Sequence, residues 1–517
     1  MHSVPSHTAH CGMNEVYRIE SSAKKGDFVV ANKLILCGEP VSLNEVPLVW
    51  HRVTCIAGQH FHKSCEECGL VIYSEMFEEM LSELRAKHVD NYADIIFFMK
   101  ELFPSPGDDI QIKCPQDACD HAYCSQACMD LAAFKGHAWL CDCYQHSHHQ
   151  PTSGSSRYQQ QHRLSDFNDE KGHFGLASKV YARIAEETRR HLVSSPYTVD
   201  IAWEAVAVAE KLLAAYHTED FAMAMHVHRT GRLEVDPEMF QSLLFPAYFS
   251  AHLAAPLALT KDVFAQSGPV LWSNNGLVSS VEGLERSQAF LSSPIFSEQF
   301  YSRILGTFVV NCLSVYVPSP LDYILAQALA LQAQAHAGDG DGMDSIKTDA
   351  INFLQGKLLS QQQARPYYQQ EDEERGDGED AGNFPHARFL GMSATGLFPF
   401  FSKANHSCLC NTSNHGSDRV SVSVVATEDI QMGHEITSCY IHHNSLNLND
   451  SNKASSHANR YGEGAGRGAL GRKGNRQHVL NAQLTKKQRY RALRQYVFAC
   501  DCELCAVQTI DSDEESD

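Results

Sequence analysis

Four closely spaced pairs of soft or borderline ligands stand out first: Cys65-x2-Cys68, Cys114-x4-Cys119, Cys124-x3-Cys128 and His137-x3-Cys141. Two side chains on one short turn can reach the same metal, and four such donors complete a tetrahedral zinc site. Eight donors therefore predict two structural zinc ions, with Cys143 competing with Cys141 for the last position. A second group, Cys500-Asp-Cys502-Glu-Leu-Cys505, supplies three thiolates. Structural zinc takes four ligands, so one must come from elsewhere in the chain. Most of the 18 cysteines fall in Cys55–Cys143 or Cys408–Cys505. In a reducing compartment such clusters bind metal more often than they form disulfides.

The elements that must position these ligands read as a mixed α+β chain of several units, since 517 residues exceed one core. Val16–Val49 alternates apolar and polar patches around Gly26, Gly38 and Pro47, predicting short strands and turns. His146–Arg163 reads as a polar linker. Helix signals dominate from Gly175 to Thr230, where Ile201, Ala205, Val208, Leu212 and Tyr216 form one apolar stripe for core packing. Strand-like runs return at Gly306–Val317 and Val420–Ala426. Ala326–Asp380 and Asn444–Gln477 are compositionally biased and are expected to be disordered loops spliced into the fold. No repeat of 20–50 residues is evident.

Lys plus Arg number 42 against 62 Asp plus Glu, a net charge of −20, which disfavours nucleic acid and favours basic partners. Part of the acidity lies in the runs Glu371–Asp380 and Asp511–Asp517. No secretory pattern opens the chain. The greasiest stretch, Leu243–Leu259, is interrupted by Pro246, Ser250, His252 and Pro256 and is too short to span a bilayer. The expectation is a soluble, monomeric protein of the cytoplasm or nucleus, with no membrane and no direct nucleic-acid partner.

Three segments then fall in a telling order: Asn405–Asn411 (NHSCLCN), Gly433–Ile441 (GHEITSCYI) and Leu493–Cys505 (LRQYVFACDCELC). With Lys24–Gly26, Gly38-Glu39 and Val46–Val49 ahead of them, they resemble the SET-domain lysine methyltransferases. Ala122–Cys128 (AYCSQAC) with His137–Cys141 looks like the second half of a MYND finger, so the chain is most similar to the SET-and-MYND subfamily. The resemblance is to the divergent branch with a long finger spacer and an acidic tail. It covers roughly half the chain and implies an α+β fold. In it, a SET-domain β-fold of short strands is split by a MYND zinc finger and joined by a helical insert and a post-SET zinc module. The implied units are 15–50 (first part of the SET domain), 65–143 (finger), 164–305 (helical region) and 306–325 with 384–443 (SET core). The remainder would be 326–383 (low-complexity insert), 444–480 (disordered basic insert), 490–508 (post-SET module) and 509–517 (acidic tail).

By position, the resemblance implies two interleaved zinc sites in the finger. Cys65, Cys68, Cys124 and Cys128 would hold one ion, and Cys114, Cys119, His137 and Cys141 the other. It makes Cys408 the missing partner of Cys500, Cys502 and Cys505, giving three structural zinc ions. The implied cofactor is S-adenosylmethionine, contacted by Lys25, Gly26, Asn311, Ser402, Asn405, His406, Tyr440 and Phe498. Phe398, Tyr496 and Phe498 would line the lysine channel, and Tyr440 would stand at the methyl-transfer centre. The implied substrate is a lysine of a basic protein, a histone tail or a ribosomal protein, and the finger is a place for a peptide partner. Departures occur at Lys24-Lys25-Gly26, Cys410, His434 and His442. They support an alternative, a non-catalytic zinc adaptor with a degenerate SET fold.

Overall fold

The computed structural model describes residues 15–22, 25–52, 64–70, 73–87, 91–102, 112–115, 119, 121–141, 173–194, 200–230, 236–273, 279–317, 320–337, 345–363, 392–417, 419–441, 484–496 and 498–507. The linker His146–Arg163, Cys143, both acidic runs and the basic insert 444–480 lie outside the described residues.

Four short strands open the chain: β1 (Tyr17–Ser22), β2 (Gly26–Ala31), β3 (Pro40–Glu45) and β4 (Trp50–Arg52). The cysteine-rich segment follows, with α1 (Tyr73–Ala86), α2 (Tyr92–Leu102), the hairpin β5 (Ile112–Lys113) and β6 (Ala122–Tyr123), α3 (Gln126–Phe134) and α4 (His137–Leu140). Then come the main helices α5 (His173–Ser194), α6 (Ile201–Leu213), α7 (Phe221–Thr230), α8 (Phe245–His252), α9 (Ala254–Ser273), α10 (Ser280–Leu291) and α11 (Glu298–Asn311). Strand β7 (Cys312–Val317) and helices α12 (Pro320–Ala337) and α13 (Ser345–Gln363) lead to β8 (Met392–Leu397), β9 (Thr412–Gly416), β10 (Val422–Ala426) and β11 (Glu435–Ile436). Helices α14 (Lys486–Leu493) and α15 (Glu503–Val507) follow.

Among the described residues, besides the β5–β6 pair, the strands form three three-stranded antiparallel sheets, in the orders β1-β2-β11, β3-β10-β9 and β4-β8-β7. Each sheet joins residues from the start of the chain to residues roughly four hundred positions later or to the β7–β8 pair, so neither end can fold alone. The central strand β2 buries Val29, Val30 and Ala31, as a strand flanked on both sides must. No helix among the described residues is long and apolar enough to cross a membrane.

Two expectations are corrected. Gly306–Asn311 is the end of helix α11, and the strand starts only at Cys312. Ser297 caps the helix by accepting the Phe300 N–H, and Tyr301, Ile304, Leu305 and Phe308 are buried at helical spacing. That burial overrides the β preference of the Val309-Val310 pair. Within the expected loop 326–380, residues 326–337 and 345–363 instead belong to α12 and α13, whose Ala, Leu and Gln are strong helix formers. Leu321, Ile324 and Leu325, with Ile351 and Leu354, share a core with Met80, Leu84, Ile95 and Met99 of α1 and α2. The long finger spacer and the later insert thus bury each other. The expected stripe on α6 is confirmed at Ala205 and Val208, while Tyr216 is buried just past the helix end.

Candidate metal clusters and the adjoining cavity

Among the described residues, three groups of four ligand atoms each lie within 4.8 Å of one another: Cys65, Cys68, Cys124, Cys128; Cys114, Cys119, His137, Cys141; and Cys408, Cys500, Cys502, Cys505. Local structure explains the first. Gly69 turns the chain at φ +74° and donates its N–H to Cys65 O, which curls Cys65 and Cys68 toward one point. A Cβ there would collide with Val420, so the turn requires glycine. Ser125 caps α3 by accepting the Cys128 N–H, which sets Cys128 in the first turn beside Cys124. In the second group the β5–β6 ladder and the Cys114 N–H to His121 O bond bring the chain back on itself.

The spacings fit zinc. Sulfurs on a tetrahedral ion with bonds of ~2.3 Å stand about 3.8 Å apart. Here Cys68–Cys124 and Cys124–Cys128 are each 3.6 Å, Cys114–Cys141 is 3.9 Å, and Cys408–Cys500 and Cys408–Cys505 are 3.9 and 3.7 Å. His137 Nε2 is 3.6 Å from Cys119 Sγ. Burial, helped by neighbouring His121, lowers His137 to about 3, so its ring is neutral and has a lone pair to offer.

The finger is embedded in the body. Gly136, at φ +99°, abuts the Ala182 backbone of α5 so closely that a side chain would not fit. Trp139 is fully buried among Phe264, Trp272 and Phe290, and its Nε1 donates to Glu186 at 3.2 Å. Arg183 and Arg190 lie over the Phe134 ring and donate to Phe134 O.

Beside the third cluster opens a cavity of about 1160 Å³. Seven of the expected cofactor and channel residues line it: Lys25, Gly26, Asn405, His406, Tyr440, Tyr496 and Phe498. Lys25 and Gly26 lie where the chain enters β2, and Gly26 takes φ +64°. Lys25 pairs with Glu435, which also accepts from Asn405 Nδ2 at 3.1 Å. Asp27 pairs with Lys403 at 2.7 Å, and this bond, then Ser21, holds its carboxyl below the usual range. The segments 405–412 and 435–441 lie side by side. Asn411 fixes them, donating to Glu435 O at 2.8 Å and accepting the Thr437 N–H at 2.8 Å. Tyr440 sits at their end, and its hydroxyl donates to Ala404 O at 2.9 Å. Burial raises the Tyr440 hydroxyl above the ordinary tyrosine value, so it stays protonated. The Tyr496 ring is 4.7 Å from the Tyr440 ring, and Phe498 lies 6.3 Å from Tyr440 and 6.1 Å from His406.

Three expected site residues lie behind this surface. Asn311 is buried; it accepts the His217 N–H at 3.1 Å and donates to His217 O and Thr307 O, both at 2.7 Å. Ser402 donates to Ala215 O at 3.1 Å and Pro399 O at 2.7 Å. Both therefore hold the segment 215–219, whose Tyr216, His217, Thr218 and Glu219 line the cavity. Phe398 is fully buried in the strand core against Phe401 and does not line the cavity. The sequence reading missed Asp27, Lys403 and His217. The Asp27–Lys403 pair spans 376 residues, so no local pattern signals it. No family model matches the chain, and no curated protein matches it significantly.

Proposed function

We propose that the chain is a protein-lysine methyltransferase of the SET-and-MYND kind, with three structural zinc ions and S-adenosylmethionine as cofactor. The observation that carries this reading is one cavity joining Lys25-Gly26, Asn405-His406, Tyr440 and the aromatic pair Tyr496 and Phe498 beside a four-cysteine cluster. These residues come from four segments of the sequence whose motifs resemble that family. At about 1160 Å³ the cavity exceeds the usual range for one small ligand and has room for a cofactor with a lysine side chain.

When bound, S-adenosylmethionine supplies a methyl group activated by a sulfonium cation. The chain's own residues then have three tasks. A free lysine side chain has a pKa near ~10.4 and must arrive neutral, which an apolar channel favours. Tyr440, Tyr496 and Phe498 exclude water and align the amine. The Tyr440 oxygen, held by its bond to Ala404 O, and nearby backbone carbonyls place partial negative charge where the positive charge moves. Carboxylates of Glu428, Asp501 and Glu503 on the cavity wall favour a basic substrate.

Titration with S-adenosylmethionine, followed by methylation of histones and ribosomal proteins read by mass spectrometry, tests the reading. Tyr440→Phe should keep fold and metal while turnover drops about 10²–10³-fold. Unchanged turnover with chemistry limiting would remove Tyr440 from the reacting centre. The adaptor reading draws support from the Lys25–Glu435 pair, which occupies the β1–β2 side of the cavity. Against it, the finger face carrying Phe134 and Trp139 is already used within the chain.

A further inference from the structure

His406 is among the residues that line the cavity, and both of its ring nitrogens are engaged. The Tyr440 backbone N–H donates to Nδ1 at 3.1 Å. Nε2 lies 3.3 Å from Cys408 Sγ. A nitrogen that accepts from a backbone N–H carries a lone pair, so the ring is neutral and its proton is on Nε2. Cys408 in a metal cluster is a thiolate, which accepts. The Ser438 N–H donates to Asn405 O at 2.9 Å, the Ser407 N–H donates to Ser438 O at 3.1 Å, and His406 and Ser438 form a bridge, so the two backbones that the ring spans are held side by side.

We infer that His406 is a positioning residue that couples the third metal site to the cavity: Nε2–H donates to the Cys408 sulfur while Nδ1 holds the backbone of Tyr440. A hydrogen bond to a metal-bound ligand orients it and tunes the metal's hold. Because the same ring fixes Tyr440, metal loading and the shape of the cavity are linked, and the linkage is reciprocal. The inference rests on a metal at Cys408, Cys500, Cys502 and Cys505, and it is independent of methyl transfer.

The test uses the full chain loaded with zinc and challenged with a chromogenic chelator, with no cofactor present. Two substitutions divide the ring's functions. His406→Gln leaves a donor near the Nε2 position for the thiolate, whereas His406→Asn leaves only an acceptor near the Nδ1 position. In His406→Asn, one of three zinc ions should be held about 10–100-fold more weakly, with the two finger ions unchanged. His406→Gln should hold all three nearly as the parent does. With cobalt(II) in place of zinc, the thiolate-to-metal charge-transfer band should shift in His406→Asn and stay in His406→Gln. Equal retention of all three ions in both variants would overturn the inference. So would equal loss from all three sites, or equal weakening of the third site in both variants, because then the ring would act by packing alone.

Discussion

The cysteine-rich segment (the finger) and the tail each gather residues that could hold a metal ion, but they are built into the molecule in opposite ways. The eight finger ligands lie between Cys65 and Cys141, and the finger's face fills a helical core through Trp139. The tail cluster ties Cys408 to Cys500, Cys502 and Cys505, some ninety residues away. Its own apolar core is small, with Ile441, Leu484 and Leu493 buried beside the cysteines. Its neighbours Phe498, Ala499, Asp501 and Glu503 form cavity wall. Where apolar packing is plentiful, the metal only has to fix local loops. Where the wall of a cavity must stay open, little packing is available and the metal has to hold the segment in place.

That contrast is broken most directly by removing one ligand from each kind of site. Structural zinc in small modules binds with roughly 10–16 kcal/mol of apparent free energy, so losing a ligand outweighs any other single change here. Cys502→Ser should release one zinc, abolish the S-adenosylmethionine binding on which the proposed function rests and leave the melting of the helical core nearly unchanged. Cys114→Ser should also release one zinc but lower the melting temperature of the body, because it frees the helix carrying Trp139. Elemental analysis with calorimetry reads both, and equal thermal effects of the two would erase the distinction. A smaller change sharpens it. Trp139→Ala removes a fully buried ring from among three aromatic neighbours and should cost about 3–5 kcal/mol while keeping all metal. Denaturant unfolding that shows under 1 kcal/mol would mean the finger is not part of the body's core.

The sequence displayed this architecture unevenly, for physical reasons. The finger ligands were legible because each pair sits on one turn and spacing alone brings its side chains together. Cys408 was legible only through the resemblance, since nothing local marks it as the partner of Cys500. Asn311 and Ser402 illustrate a different limit. Their positions near the cavity followed from the motifs, but side-chain direction depends on segment 215–217, which they bind from behind. Phe398 fails in the same way: an aromatic beside the motif points into the strand core. The helical residues 326–337 and 345–363 were missed because low-complexity composition was read as disorder. Their leucines and isoleucines gain a partner only when α1 and α2, more than two hundred residues earlier, are folded against them.

The strand core also carries an unusual acid, and it gives the smallest effect. Glu45 ends β3, and one carboxyl oxygen accepts the Phe400 N–H while the other has no hydrogen-bond partner among the described residues. Burial raises this carboxyl from 4.5 to about 8, against the opposing pull of the Phe400 N–H. The folded protein therefore keeps a proton that the unfolded chain releases near 4.5. The stability that proton provides is fully present below 4.5 and is lost as pH rises through about 8. Within that window each pH unit removes at most about 1.4 kcal/mol. Glu45→Gln keeps an acceptor for Phe400 and has no proton to lose, so its stability should be flatter from pH 5 to pH 9 and exceed the parent's at the upper end. Since Glu45 lies on the strand side, away from the finger, the gain should appear equally in protein already weakened by Trp139→Ala. Melting curves of the single and double variants at pH 6 and pH 9 measure both statements. A parent whose stability rises between those pH values by the same amount as the variant's would show that Glu45 is ionised in the fold.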